Sequence, residues 1–319
     1  MNIVKFFRKF SLPSSLAIGT VGYLLFAKVP ILEPIGDVAG PLLQSLLPIV
    51  LFSLLYVTFC KIQIKEMKPR VWHFWLQAIR VGLSAFMVFV IVNTDDANMR
   101  LVLEGAFICI ICPTAAAAPV VAEKLGGSVA SLTIYTIMAN VVTSIIIPLF
   151  FPMVEKSADI SFIAAALMVL RNVTTVLVLP LALALISRKV MPHFTRRVAE
   201  VKDLAFYMWC FNLSIVTGVT VRNILASTVS GWVLAMLLIL PLFITILQFA
   251  IGKAVGKHYG DSITAGQALG QKNTVVGIWL AISFLNPLSA VAPGAYVLWQ
   301  NMVNAWQIWY KEKYGKIKW

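Results

Sequence analysis

From residue 14 to residue 310 the chain offers ten apolar runs, each close to the length that crosses a bilayer, with little between them. A hydrocarbon core about 30 Å thick takes about 20 residues of α-helix. Inside it every backbone N–H and C=O must find its partner within the protein, so the runs read as helices. We expect spans at 14–34, 39–60, 71–93, 101–124, 127–153, 161–187, 204–221, 231–254, 262–285 and 293–310. Composition agrees: 60% of the residues are apolar and 12% charged, where a soluble domain carries roughly a quarter. No connection is long enough for a soluble module, so residues 1–319 read as a single all-α membrane domain. The basic start, Met1 to Lys9, resembles the head of a signal peptide, but no small-residue cleavage site follows Phe26-Ala27-Lys28, so this run counts as the first span.

The formal net charge of +13 invites a nucleic-acid reading that its placement excludes. The basic residues sit in short loops, with no basic helix and no interleaved aromatic platform. With the N-terminus in the cytoplasm, 19 of the 26 Lys and Arg fall in inside segments. Four fall outside: Lys28, Arg100, Lys156 and Arg222. That sorting follows the positive-inside rule and places both termini on the cytoplasmic side of a cell inner (plasma) membrane.

Ten spans divide into five and five, and an odd half inserts the second half upside down. Residues 1–160 and 161–319 therefore read as inverted repeats, an architecture typical of secondary transporters. The fourth span of each half is interrupted. The first break runs Cys112-Pro113-Thr114-Ala115-Ala116-Ala117-Ala118-Pro119, with Pro113 and Pro119 as helix breakers. The second runs from Gly266 to Thr274 and places Gly270 beside Gln271, Lys272 and Asn273. Such breaks are tolerated only where the freed backbone faces protein or a cavity. Two in corresponding places point to a binding site.

Three cations lie within spans: Arg80, Arg171 and Lys272. Each costs at least about 2.5–3.5 kcal/mol at the bilayer centre, so each needs a reason. Snorkelling or pairing with backbone carbonyls would account for Arg80 and Arg171 as well as a substrate role would. Lys272, at the break, is the functional candidate. Glu104 is the acid within a span, near its outer end, and His73, His193 and His258 lie towards the cytoplasmic side. No carboxylate pair, zinc ligand set or Ser-His-Asp arrangement occupies the membrane interior, so an enzyme is not expected. Cys60, Cys109, Cys112 and Cys210 have neither zinc spacing nor a disulfide pattern and read as buried small apolar side chains.

These features resemble the bile acid:sodium symporter family over nearly the whole chain. The resemblance rests on ten spans, the Cys-Pro break, the Gly-x-x-Asn break and Val291-Ala292-Pro293-Gly294-Ala295 opening the tenth span. It implies a panel of spans 1, 2, 6 and 7 and a core of spans 3–5 and 8–10, with spans 4 and 9 crossing at their breaks. The departures are informative. Family members continue Cys-Pro with Gly-Gly-Thr-Ala-Ser-Asn, whose Ser and Asn bind sodium; Ala118 and Pro119 stand there. The family's ninth span reads Glu-x-Gly-x-Gln-Asn; Ala268 replaces the Glu and Lys272 the Gln. In the fifth span Leu132 replaces a Ser ligand, while Thr136 is retained. Two sodium ions with one glutamate sum to +1, and so does one lysine with the glutamate gone.

The expectation is therefore alternating-access transport of a small organic anion without sodium. Lys272 lodges its ammonium among half-helix carbonyl ends, or else turns it to water in the cavity. Thr114, Ala116, Gln271, Asn273 and Thr274, with Arg171 and Asn172 of the sixth span, are the candidate substrate contacts. Lys272 and Thr136 are the candidate ion-surrogate or coupling residues. The partners are the anion and the lipid bilayer; neither a cofactor nor a metal is expected, and oligomeric state stays open. Two other readings stand beside this one. A carrier of the auxin-efflux or arsenite type would share the architecture. A ligand-binding membrane sensor would need more than the nine residues after Tyr310.

Overall fold

The computed structural model describes residues 11–62, 64–155, 167, 171, 174–226 and 231–317. Thirteen α-helices lie among the described residues. In chain order they are α1 Ser11–Lys28, α2 Glu33–Phe59, α3 Val71–Val92, α4 Ala97–Ile111, α5 Ala118–Leu125, α6 Val129–Val154 and α7 Leu179–Val190. They continue with α8 Pro192–Glu200, α9 Leu204–Leu225, α10 Gly231–Lys257, α11 Ser262–Gly270, α12 Thr274–Phe284 and α13 Val291–Tyr314. Five of them, α2, α3, α6, α9 and α10, are each long and apolar enough to cross a membrane unaided. Large apolar side chains such as Phe74, Trp75, Phe86, Phe89, Phe243 and Leu247 stand exposed on the outside, a surface suited to lipid rather than water.

Helix ends follow local chemistry. Asp96 caps α4 by accepting from Met99 N at 2.7 Å, and Ser128 caps α6 by accepting from Ser131 N at 3.2 Å. The first two helices are displaced from their expected bounds: α1 stops at Lys28, and α2 opens at Glu33 rather than near residue 39. Pro30 disfavours helix at Val29, and Pro34 occupies the first turn of α2, where its missing N–H removes no bond. The short amphipathic helix α8 was not anticipated from the apolar runs. Much of the sixth span, including Asn172, lies outside the described residues. A π-turn at Thr174–Val178 leads into α7.

The helices fall into two packing groups. In one, α9 packs along α1 and α2, and α2 packs on α7. In the other, α10 packs on α11, α13 and α4, while α3 lies against α4 and α6. Small residues allow the closest approaches, as expected where lipid supplies no hydrophobic drive between helices. A Cβ on Gly252 of α10 would sit 2.4 Å from Ala265 O of α11, so only glycine lets these backbones meet. Contacts between the groups run through α13 and α5.

Candidate functional site at the crossing of two broken helices

Both interruptions in the sequence are breaks in the structure, and they meet. Pro113 keeps Cys112 out of the helical region, so α4 ends at Ile111 with Cys112 extended at φ −51°, ψ 140°. Four non-helical residues follow Pro113, and α5 restarts at Ala118. Pro119 lies in the first turn of α5, so it opens a half-helix and does not break one. On the other side α11 ends at Gly270, Gln271 is extended, and α12 restarts at Thr274. A Cβ on Gly270 would fall 2.4 Å from the Phe249 ring, so this end can approach α10 only as glycine.

Between the half-helices the two unwound segments pair as an antiparallel bridge at Thr114 and Lys272. Ala115 N donates to Gln271 O at 3.1 Å and Asn273 N donates to Pro113 O at 2.8 Å. These two bonds partner part of the unwound backbone within the protein, as the membrane interior demands.

Each first half-helix ends in carbonyls that need donors, and its C-terminal dipole favours cations. Three side chains serve the end of α4. Gln248 Nε2 donates to Cys109 O at 3.2 Å, Lys272 Nζ to Ile110 O at 3.0 Å, and Arg80 Nη1 to Ile111 O at 2.7 Å. At the end of α11, Thr114 Oγ1 donates to Ala268 O at 2.6 Å and Tyr296 OH to Gly270 O at 2.8 Å. Each broken helix therefore supplies a donor to the end of the other: Lys272 caps α4, and Thr114 caps α11.

Lys272 and Arg80 are each only 1% exposed. The ammonium is therefore not turned to open water, and Arg80 does not snorkel. Arg80 instead uses its full fork: Nε and Nη2 donate to Gln77 Oε1 at 3.2 and 2.7 Å, Nη1 also to Thr143 Oγ1 at 2.6 Å, and Nη2 also to Ala139 O at 3.0 Å. Among the described residues no carboxylate pairs with either cation. Buried Glu104 lies elsewhere, accepting from Asn286 N at 3.2 Å, with Arg100 Nε at 3.6 Å. Among the described residues, the two basic side chains at the crossing are met by carbonyl, amide and hydroxyl oxygens and by no carboxylate.

The other sequence candidates divide. Asn273 is half-buried, and its Oδ1 caps α12 at 3.5 Å from Val276 N. Among the described residues its Nδ2 donates to none. Ala116 is half-buried in the turn, and Thr274 is buried at the start of α12. Gln271 turns away into the packing, where its Nε2 donates to Gln267 Oε1, and Gln267 Nε2 donates in turn to Gln307 Oε1 at 2.8 Å. Thr136 spends its hydroxyl on Leu132 O of its own helix at 2.8 Å. Arg171 is exposed in the segment that leads to α7.

Gln248, Tyr296 and Gln300 are site residues that the sequence reading did not single out. Gln248 Nε2 also reaches Tyr296 OH at 3.2 Å, and Gln300 Oε1 accepts from Lys272 N at 2.8 Å. Their one signal was polarity in otherwise apolar spans.

Both breaks and the side chains that cap them lie within the stretch that a comparison with protein families picks out. Residues 62–302 match a family model described as the SBF-like CPA transporter family. No curated protein sequence matches the chain. The matched stretch covers most of the chain and both breaks, so the chain belongs to the SBF-like CPA transporter family, a bile acid:sodium symporter-like group of membrane transporters.

Proposed function

We propose that this chain moves a small organic anion across the membrane by alternating access, without sodium, and that Lys272 holds the place of the coupling ion. One observation carries the reading: the Lys272 ammonium lies buried 3.0 Å from a carbonyl at the end of a half-helix. A fixed cation there satisfies the dipole that a bound cation would otherwise neutralise. The positions that would supply oxygen ligands agree. Ala118, Leu132 and Ala268 are buried and carry none, and the Thr136 hydroxyl is bonded within its own helix.

In this reading ten membrane-crossing segments form two inverted repeats, residues 1–160 and 161–319. The group α1, α2, α7 and α9 is the panel, against which the remaining core moves. The starts of α5 and α12 present two positive helix ends. A carboxylate would bind there, beside Thr114, Ala116, Asn273 and Thr274. Thermal-shift measurements on purified protein with keto acids, hydroxy acids and bile acids test the class. Stabilisation by neutral analogues and not by carboxylates would defeat it. Asn273→Ala should weaken carboxylate binding by about 1–3 kcal/mol, the usual cost of unpairing a buried polar group. Calorimetry with the best carboxylate checks it, and unchanged affinity would remove Asn273 from the site.

The sorting of basic residues puts both termini in the cytoplasm. Reporter fusions after Trp319 and within residues 154–160 should therefore report opposite sides of the membrane. The same side for both would overturn the ten-span arrangement.

A further inference from the structure

Where the two packing groups meet near the start of α1 and the end of α13, charges cross the seam in both directions. Lys61, just past the end of α2, places Nζ 2.9 Å from Glu123 Oε1 on α5. The next residue of α5, Lys124, places Nζ 3.1 Å from Asp203 Oδ2, just before α9. Thus one group gives a lysine and takes a lysine, through two adjacent residues of one short helix. Lys124 Nζ also lies 5.0 Å from the centroid of the Phe206 ring on α9, within cation–π range. Lys311 Nζ of α13 donates to Lys124 O at 3.0 Å and holds that end of α5 in place.

The seam beneath is closed by apolar packing. Val120, Val121 and Leu125 of α5 share one buried cluster with Leu54, Leu55 and Phe59 of α2 and Phe206 and Trp209 of α9. Asp203 has φ 59°, a left-handed conformation that is costly for a residue with a side chain. That backbone is what presents its carboxylate to Lys124.

We propose that Lys61–Glu123 and Lys124–Asp203 form an ionic latch that closes the seam at the end where α1 starts and α13 ends, and that the structure is the state shut at that end. The proposal rests on the alternating-access reading above. Each pair is partly exposed, with side chains 19–34% accessible, so neither can lock the seam alone. Together with the apolar layer they bias a two-state equilibrium, as a reversible gate requires. Breaking both is expected to shift that equilibrium about threefold to tenfold, the size of two modest ion pairs.

Cys60 is a native reporter, since it is a free thiol at the end of α2, 6% exposed and within the buried layer. In the full chain in lipid nanodiscs, the rate of Cys60 alkylation by a water-soluble maleimide is read by peptide mass. Glu123→Gln with Asp203→Asn removes both carboxylates without touching the residues beside Cys60, and asparagine tolerates the left-handed backbone. The double variant should be alkylated at Cys60 about threefold to tenfold faster, while Cys109, a free thiol buried away from the seam, keeps its rate. Glu123→Lys, which sets like charges face to face, should be at least as fast. An unchanged rate in the double variant would overturn the latch. So would equal acceleration at Cys109, because that marks general loosening. The assay uses no substrate or sodium, so failure of the transport reading in binding experiments would be distinguishable from failure of the latch.

Discussion

Exchanging sodium for potassium or choline should leave the affinity for a carboxylate substrate unchanged, with the Lys272 ammonium fixed at the end of α4. A sodium ion about 4 Å from that ammonium would meet roughly 4 kcal/mol of repulsion at an effective dielectric near 20. Ala118, Leu132 and Ala268 offer no side-chain oxygen to offset it. Calorimetry at fixed pH decides the matter. A tenfold gain in affinity with sodium, about 1.4 kcal/mol, would defeat sodium independence. Lys272→Gln with Ala268→Glu removes the ammonium and restores a carboxylate, and should give about a tenfold sodium response. If that double variant folds and shows no response, Lys272 does not stand in for an ion, although sodium independence itself would survive.

The largest loss of stability is expected at Arg80, which reaches backbone or side-chain acceptors on α3, α4 and α6. Arg80→Met would spare the desolvation of a guanidinium but leave Gln77 Oε1, Ile111 O, Ala139 O and Thr143 Oγ1 without that donor. With about 1–3 kcal/mol for each buried group that cannot re-pair, the net loss should be about 3–5 kcal/mol. Arg80→Lys keeps the charge but cannot span the same fork, and should lose about half as much. Unfolding in mixed detergent micelles measures both. A loss under about 1 kcal/mol for Arg80→Met would show that the network is replaceable.

Much of the frame was readable because a membrane leaves a chain few choices. Apolar run length set the helices, and Pro113 and Gly270 marked the breaks through purely local rules. The first two helix boundaries moved because prolines at 30 and 34 outweigh a smooth hydropathy profile. Pro119 was misjudged as a breaker because proline in a first turn and proline in mid-helix look alike until the helix start is known. Lys272 stood out because a buried ammonium demands an explanation. The side chains around it did not: Gln248, which donates to the neighbouring Cys109 O, and Gln300, which accepts from the Lys272 backbone N, come from other helices, and no periodicity says which backbone group a glutamine on a distant span will face. Arg80 was visible as a cation but not as a clamp, for the same reason. Thr136 matched a motif, yet its hydroxyl is committed to Leu132 O, a local bond that spacing could not separate from a ligand role.

The paired backbones at Thr114 and Lys272 carry a mechanical consequence. Two helices that merely cross can slide or scissor, but these are laced by main-chain hydrogen bonds from Ala115 to Gln271 and from Asn273 to Pro113. Parting them would strand peptide groups in hydrocarbon, at a cost of several kcal/mol for each unsatisfied group. The two breaks must then travel as one rigid piece, and their amide protons should be among the slowest in the molecule to exchange with solvent. A bound molecule would ride with that piece, and access would change at its border with the neighbouring helices and never through its middle.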